Sequence, residues 1–305
     1  MKVIVTGCSG FIGSHLVENL LNRKYEVIGI DKSSNKRIEK LLGNKFIKKN
    51  ILKLAFPESD IFKDTDAIFH LASNSDTMNS TEGSKLDIDD TFKTTIEMLN
   101  IAEVFNIKQF VYASSSTIYG NTGTYAVTEN WGPLKPVSHY GAAKLASEAF
   151  ISSYAENNEM RTWILRFPNV VGPHMTHGAI YNFIKQLKKE KKLDVLGNGT
   201  QTKPYIYVKD LIDAILYIWM NSAMKVNVYN IAPTNGTSTK LKDIAEWCAK
   251  EFNCYNISYG TEPIGYKGDI NTYRFNTEKL EKLGFTISLS SDDAVKKAIR
   301  ECINY

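Results

Sequence analysis

Tyr140 and Lys144 stand four residues apart in a stretch with helical patterning, Ser138–Asn157, and their side-chain chemistries complement each other. Residues i and i+4 share one face of a helix, so both can point into one cleft. A free phenol titrates near pH 10 and is a poor base at neutrality, whereas a neighbouring ammonium favours the phenolate. Lowering that pKa by about three units takes roughly 4 kcal/mol of differential stabilisation. Such a phenolate can take a hydroxyl proton while hydride leaves the same carbon. A nearby serine hydroxyl can hold the oxygen on which negative charge develops. Spacing alone does not select this pair, because Tyr181/Lys185 and Tyr205/Lys209 share it. Position does: Tyr140 follows the strand pattern Gln109–Ser115, whose C-terminal end carries Ser114, Ser115, Ser116 and Thr117. Ligands of open α/β sheets bind outside the C-terminal ends of the strands.

Hydride removal needs an acceptor, and the N-terminal segment provides a place for one. Gly7-Cys8-Ser9-Gly10-Phe11-Ile12-Gly13 is a G-x-x-G-x-x-G loop between the strand pattern Lys2–Thr6 and the helical pattern Ile12–Asn22. Its glycines let the backbone turn tightly and approach a pyrophosphate, and the unpaired N–H groups at the helix N-terminus face that anion. Asp31 ends the second strand pattern, 18 residues beyond Gly13. A carboxylate there meets the adenosine ribose hydroxyls and repels a 2′-phosphate, so NAD is favoured over NADP. Lys32, Lys36 and Arg37 follow closely and are able to neutralise such a phosphate. Cys8, inside the loop, reads as a small filler and not as a nucleophile.

Positioning these groups takes alternating elements. Strand patterns at Lys2–Thr6, Glu26–Asp31, Lys45–Asn50, Ala67–Ala72, Gln109–Ser115 and Arg161–Phe167 alternate with helical patterns at Ile12–Asn22, Asp87–Phe105 and Ser138–Asn157. That alternation indicates βαβ units and a doubly wound parallel sheet of the Rossmann type. Strands as apolar as Ala67–Ala72 fit a sheet covered on both faces. After Phe167 the texture changes. A helix Ala179–Lys192, a strand Tyr205–Val208, a helix Asp210–Asn221 and a strand Val228–Ile231 follow, then helices at Lys240–Phe252 and Asp292–Ile303. The expected organisation is an α/β NAD-binding domain over 1–167, with returns to its sheet at about 204–232. A smaller C-terminal α/β substrate domain takes 168–203 and 233–305.

Composition narrows the class. The 305 residues are 43% hydrophobic and 23% charged with a net charge of +4, which excludes a mostly disordered chain and gives no argument for nucleic acid. Cys8, Cys248, Cys254 and Cys302 form no CxxC pair, so a zinc site or disulfide framework is not expected and a reducing cytoplasm is the simpler home. His139, His174 and His177 lack metal-ligand spacing, and no metal is expected. The most apolar run, Leu211–Met220, carries Asp213 and is half the length a membrane span needs. The Lys-rich run 185–192 reads as a solvated helix face.

Together these residues resemble the extended short-chain dehydrogenase/reductase superfamily, in particular its nucleotide-sugar epimerases of the UDP-glucose 4-epimerase type. The resemblance covers nearly the whole chain. It runs through Val5-Thr-Gly7, Phe69-His-Leu-Ala72, Tyr112-Ala-Ser-Ser-Ser-Thr-Ile-Tyr-Gly120, Tyr140-Gly-Ala-Ala-Lys144, Arg166-Phe-Pro-Asn169-Val-Val-Gly-Pro173 and Tyr205-Ile-Tyr-Val-Lys-Asp210. It implies Ser115, Tyr140 and Lys144 as catalytic residues, Ser115 being counted back from Tyr119-Gly120, with Ser114 or Ser116 in its place if the register slips. For NAD it implies Gly7, Gly10, Phe11, Ile12, Gly13, Asp31, Lys32, Asn35, Tyr140, Lys144 and Phe167. Leu71, Ala72 and Ser73 would line the cofactor, and Asn50 and Ile51 would meet the adenine. For the substrate it implies Ser115 and Thr117 near the sugar, Asn169 at the phosphates, and Lys203, Tyr205 and Lys267. Related proteins pair helices such as Asp87–Phe105 and Ser138–Asn157 about a twofold axis, which implies a homodimer. The implied substrate is a nucleoside-diphosphate sugar, a UDP-sugar favoured, with no nucleic-acid or membrane partner.

Several positions depart from that pattern. Asn50 stands where Asp is frequent and Thr91 where Asn is; Lys203-Pro204 replaces Arg-Asp; and Tyr266 or Lys267 replaces an Arg that clamps phosphate. Lysine keeps the charge and loses the bidentate fork. The implied reaction is epimerisation, at C4, by transient oxidation to a keto-sugar and return of the hydride. A 4,6-dehydratase, a decarboxylase or another oxidoreductase is the alternative, and a non-catalytic NAD-binding protein a further one. In the resembling dehydratases an Asp-Glu pair follows the catalytic Thr. Here Ser116, Thr117 and Ile118 follow Ser115, with no carboxylate.

Overall fold

Seven short runs, each with most of its residues buried or half-buried, form the centre of the protein: Lys2–Thr6 (β1), Glu26–Asp31 (β2), Phe46–Lys48 (β3), Ala67–His70 (β4), Gln109–Ala113 (β5), Arg161–Arg166 (β6) and Val226–Asn230 (β7). They make a parallel sheet in the order β7-β6-β5-β4-β1-β2-β3. This is the α/β doubly wound architecture expected from the alternating patterns. β1 lies between β2 and β4, with Thr6 opposite both Ile30 and His70. The strand order therefore reverses at β1, and the carboxyl end of β1 is a switch point where such sheets bind ligands. The structure, a computed structural model, describes residues 1–54, 60–75 and 83–304. Among them no helix is long and apolar enough to cross a membrane.

The longer helices are Phe11–Asn22 (α1), Lys36–Leu42 (α2), Thr94–Val104 (α3), His139–Asn157 (α4), Ala179–Glu190 (α5), Val208–Asn221 (α6), Leu241–Glu251 (α7) and Ser291–Cys302 (α8). The chain forms two compact units. The first comprises Met1–Ser115, Ala142–Arg166 and Ile215–Tyr229; the second comprises Ser116–Gly141, Phe167–Ala214 and the chain from Asn230 onward. The first unit's core joins Ile4, Ile28, Ile30, Ile68, Phe110, Tyr112 and Ile164 of the sheet to Met98, Leu99 and Ile151 of the helices. The second unit has its own core, where Phe183 and Leu187 of α5, Ile244 and Cys248 of α7 and Val295 and Ile299 of α8 meet Tyr205 and Tyr207.

Three features differ from the sequence pattern. The strand around Tyr205 does not return to the main sheet. Tyr205–Tyr207 pairs in parallel with Asn169–Val171, Tyr205 opposite Asn169. Its two large aromatic side chains are held in the second unit's core, and the Tyr205 N–H donates to Ser291 Oγ at 3.0 Å. β4 and β5 end two residues earlier than their apolar runs, although the residues that follow still bond to the neighbouring strands β1 and β6. The Leu71 N–H donates to the Thr6 carbonyl at 3.2 Å, and the Ala72 N–H lies 3.3 Å from Thr6 Oγ1. Finally, the helix leading into α3 is wound as a π-turn over Ile88–Lys93. There Thr91 Oγ1 accepts the Asn74 N–H at 3.1 Å and pairs with Ser73 Oγ at 2.9 Å. Such wide turns are frequent at functional sites.

Candidate active site

The loop between β1 and α1 can only be built with glycine at its ends. Gly7 has φ +68°, and a Cβ there would lie 2.7 Å from the Ala72 nitrogen. A Cβ on Gly13 would lie 2.1 Å from the Gly7 carbonyl oxygen. α1 starts at Gly10 with no side-chain cap, leaving its first N–H groups directed out of the helix end. Ser9 Oγ is buried without a hydrogen-bond partner. Closely approachable backbone, open N–H groups and one orphaned hydroxyl fit a pyrophosphate at this loop. Cys8 is fully buried, and burial, with the Asp31 charge, pushes its thiol up to about 12. A thiol so hard to ionise is no nucleophile.

Asp31 is fixed before any ligand arrives. Its Oδ2 accepts the Ser9 N–H at 2.9 Å, and its Oδ1 accepts the Ser33 N–H at 2.9 Å and Ser33 Oγ at 3.0 Å. Two of the three nearby cations are occupied by carboxylates: Lys32 pairs with Asp90 at 2.5 Å and Arg37 with Glu18 at 2.5 Å. Neither is free to counter the negative charge of Asp31. Asn35 uses both ends of its amide within the protein, capping α2 through the Ile38 N–H at 2.9 Å and donating to the Ser9 carbonyl at 2.7 Å. It thereby braces the glycine loop. Asn50 Oδ1 likewise accepts the Leu52 N–H at 2.9 Å, and Ile51 beside it is buried. Leu71, Ala72 and Ser73 stand at the end of β4, half-buried, next to Gly7.

At the end of β5 the consecutive hydroxyls have different partners. Ser114 donates to the Glu148 carboxylate, and Ser116 is hydrogen-bonded to Tyr273. Ser115, between them, is also buried. Lys144 belongs to α4, one turn after Tyr140, so the two lie on one helix face. Its Nζ donates to the Ala113 carbonyl at 2.6 Å and lies 4.8 Å from the centre of the Tyr112 ring. Burial of this ammonium lowers its pKa to about 7, with the Glu148 charge opposing the fall. His70 is stacked on Tyr112 and hydrogen-bonded between Thr6 Oγ1 at 2.7 Å and Thr95 Oγ1 at 3.2 Å. Burial, reinforced by the Lys144 charge, drives its pKa down to about 3, so the imidazole is neutral.

In the second unit, Asn169 bonds the buried Tyr205 hydroxyl, whose ionisation is pushed up by burial, by Tyr273 and by Asp269. Lys203 Nζ pairs with Asp269 at 2.5 Å, both side chains largely enclosed. Thr117 is half-buried and Phe167 buried, and the Phe167 carbonyl accepts the Ser116 N–H at 3.1 Å. Lys267 is exposed, whereas its neighbour Tyr266 is close enough to Tyr205 and Tyr273 to affect both.

Comparison with known proteins decides the class. Residues 3–232 match the NAD dependent epimerase/dehydratase family. The chain belongs to that family. It is 28% identical to a putative UDP-glucose 4-epimerase of Methanocaldococcus jannaschii, over 97% of both chains. It is 26% identical to a dTDP-D-glucose 4,6-dehydratase of Bos taurus, over 98% of this chain and 87% of that one. Among solved structures it superposes with TM-score 0.85 on the UDP-glucuronic acid 4-epimerase of Bacillus cereus bound to UDP-glucuronic acid and NAD. The two share 26% identity over 99% and 98% of their lengths. The cofactor of this family member is NAD, as the glycine loop and Asp31 indicated. Its enzyme class is that of the NAD-dependent nucleotide-sugar enzymes, as the resemblance implied.

Glu148 and Tyr273 lie outside the motifs quoted above, and His70 and Arg166 lie inside them with no role assigned. Glu148 had one available sign, since it extends the Tyr140–Lys144 spacing by a further four residues along the same helix face.

Proposed function

We propose that the protein catalyses NAD-dependent epimerisation at C4 of a UDP-hexose. The observation that carries this reading is Lys144: a buried ammonium one turn from Tyr140, hydrogen-bonded to the carbonyl two residues before Ser115. NAD, when bound, supplies the centre that accepts hydride from the sugar carbon and gives it back. Tyr140 takes the proton of the C4 hydroxyl and later returns it. Lys144 stabilises the tyrosinate by its charge. Ser115 donates to the C4 oxygen while charge develops there; its neighbours Ser114 and Ser116 are committed to Glu148 and Tyr273. Asn169, Thr117, Lys203, Tyr205 and Lys267 are the proposed substrate side. Gly7, Gly10, Phe11, Ile12, Gly13, Asp31, Lys32, Asn35, Asn50, Ile51, Leu71, Ala72, Ser73 and Phe167 are the proposed cofactor side.

Epimerisation is favoured over 4,6-dehydration because loss of water needs a further acid/base group, and Ser116, Thr117 and Ile118 provide no carboxylate after Ser115. The test is proton NMR of the protein with UDP-, GDP- and dTDP-sugars. A pair of C4 epimers interconverting is the expected result, and a 4-keto-6-deoxy product would establish the dehydratase instead.

We also propose a cytoplasmic homodimer. Val104, Phe150, Leu86 and Ile88 are exposed apolar residues on the helices over 85–104 and on α4, and Phe92 packs edge-on against Phe150 with ring centres 5.4 Å apart. Exposed apolar side chains of this kind favour a partner, and a second copy with twofold symmetry is the simplest one. Cys8, Cys248, Cys254 and Cys302 are all unpaired thiols, in keeping with a reducing compartment. Light scattering should report twice the 34.4 kDa chain mass at micromolar protein; a monomer would contradict the proposal.

A further inference from the structure

Behind the Lys144 ammonium lies a fully enclosed ionic cluster that the proposed chemistry does not use. Glu148, one turn beyond Lys144 on α4, accepts Arg166 Nε at 3.0 Å on Oε1 and Arg166 Nη2 at 2.6 Å on Oε2. It also accepts the Ser114 hydroxyl. The Glu148 and Arg166 side chains are 5% and 7% exposed. The carboxylate thus ties α4 to the last residue of β6 and to the residue that follows β5. Buried ion pairs of this kind add little net stability over apolar side chains of the same size. Their retention beside a reactive lysine therefore calls for another reason.

The groups facing Lys144 supply it. On its own helix stand Tyr140 and Glu148. From β5 come the Ala113 carbonyl and the Tyr112 ring. From β4 comes His70, neutral and so without charge to offer. Arg166 of β6 is engaged by Glu148. Desolvation opposes the ammonium, and the negative charge acting in its favour is that of Glu148. Removing that charge would leave Arg166 and Lys144 as two cations in one enclosed region.

We propose that Glu148, clamped by Arg166 and Ser114, is a positioning residue that keeps Lys144 charged and in register with Ser115. The placement is independent of the substrate; its consequence for turnover rests on the epimerase reading. The experiment is carbon NMR of lysine-labelled protein as purified, with no sugar added. One Cε resonance should titrate near pH 7 in the wild type and be missing in Lys144→Met. In Glu148→Gln its midpoint should fall by about one unit or more. If that variant does not fold, Ser114→Ala/Glu148→Leu/Arg166→Met replaces the whole cluster by apolar groups, and a smaller fall in the same direction is expected, since the Arg166 charge is removed as well. A midpoint unchanged in whichever variant folds would overturn the proposal, because packing alone would be restored without moving the titration. The alkaline limb of kcat/KM should move with the midpoint. A moved midpoint in a protein that epimerises no sugar would instead count against the epimerase reading and leave Glu148 in its role.

Discussion

At the residue scale, Tyr140 and Lys144 have separable consequences. Tyr140→Phe keeps the ring and removes the proton acceptor. Turnover should fall by about 10²–10⁴-fold while NAD still binds; activity within threefold of wild type would remove Tyr140 from the mechanism. Lys144→Met should also abolish turnover, yet stabilise the protein. The folded-state pKa of Lys144 is lowered from 10.5 to about 7, so the unfolded chain binds more protons between those values. The penalty of burying the charge is therefore fully present below pH 7 and disappears as pH rises toward 10.5. Removing the ammonium lifts that penalty and forfeits its bond to Ala113, a net gain of roughly 2 kcal/mol at pH 6. Thermal unfolding at pH 6 should show a higher Tm for Lys144→Met; a lower one would mean the charge is well solvated in place. His70 acts in the same sense at lower pH. Its pKa falls from 6.5 to about 3, so its contribution is present above 6.5 and lost as pH drops toward 3. His70→Gln should flatten the fall of Tm across that window.

At the element scale, the turn from β1 to α1 has so little room that one methyl group tests it. The Cβ of Gly13→Ala would meet the Gly7 carbonyl oxygen at 2.1 Å, and backbone has to move to relieve it. Overpacking of this kind costs about 1–3 kcal/mol. The larger effect should be on NAD affinity, weakened about tenfold or more as the open N–H groups shift; calorimetry returning wild-type affinity would show that the loop does not hold the pyrophosphate. This loop was legible in the sequence because it is local: strand, glycines, helix and Asp31 lie within one βα-β unit. The same locality explains why β1, β2 and α1 fall where their patterns place them. What escaped the sequence depends on distant partners. Ser114 meets Glu148 across 34 residues and Arg166 meets it across 18. The π-turn at Thr91 answers to Ser73 and Asn74. The apolar run at Tyr205 specifies a buried strand but not which strand lies beside it, and the second unit's core decided that.

At the scale of the whole molecule, the proposed reaction imposes a condition that a dehydrogenase does not meet. An epimerase gives back the hydride it takes, so the cycle is redox-neutral and the cofactor need not leave. Release of reduced cofactor before the hydride returns would strand a keto-sugar and stop turnover. The first unit contains the glycine loop, Asp31 with its three donors, and Lys144, and together these favour retention over exchange. NAD should therefore stay with the protein through purification, visible as cofactor absorbance released on denaturation. With the correct UDP-sugar, the two epimers should equilibrate without added NAD and without NADH accumulating in proportion to product. Deuterium at the reacting carbon should remain in the sugar pool and not exchange with solvent. Asp31→Ser should weaken that retention and relax the preference against NADP, since the carboxylate that repels a 2′-phosphate is gone while Lys32 and Arg37 stay paired with Asp90 and Glu18. Steady growth of NADH absorbance with product would replace the epimerase by a dehydrogenase on the same fold.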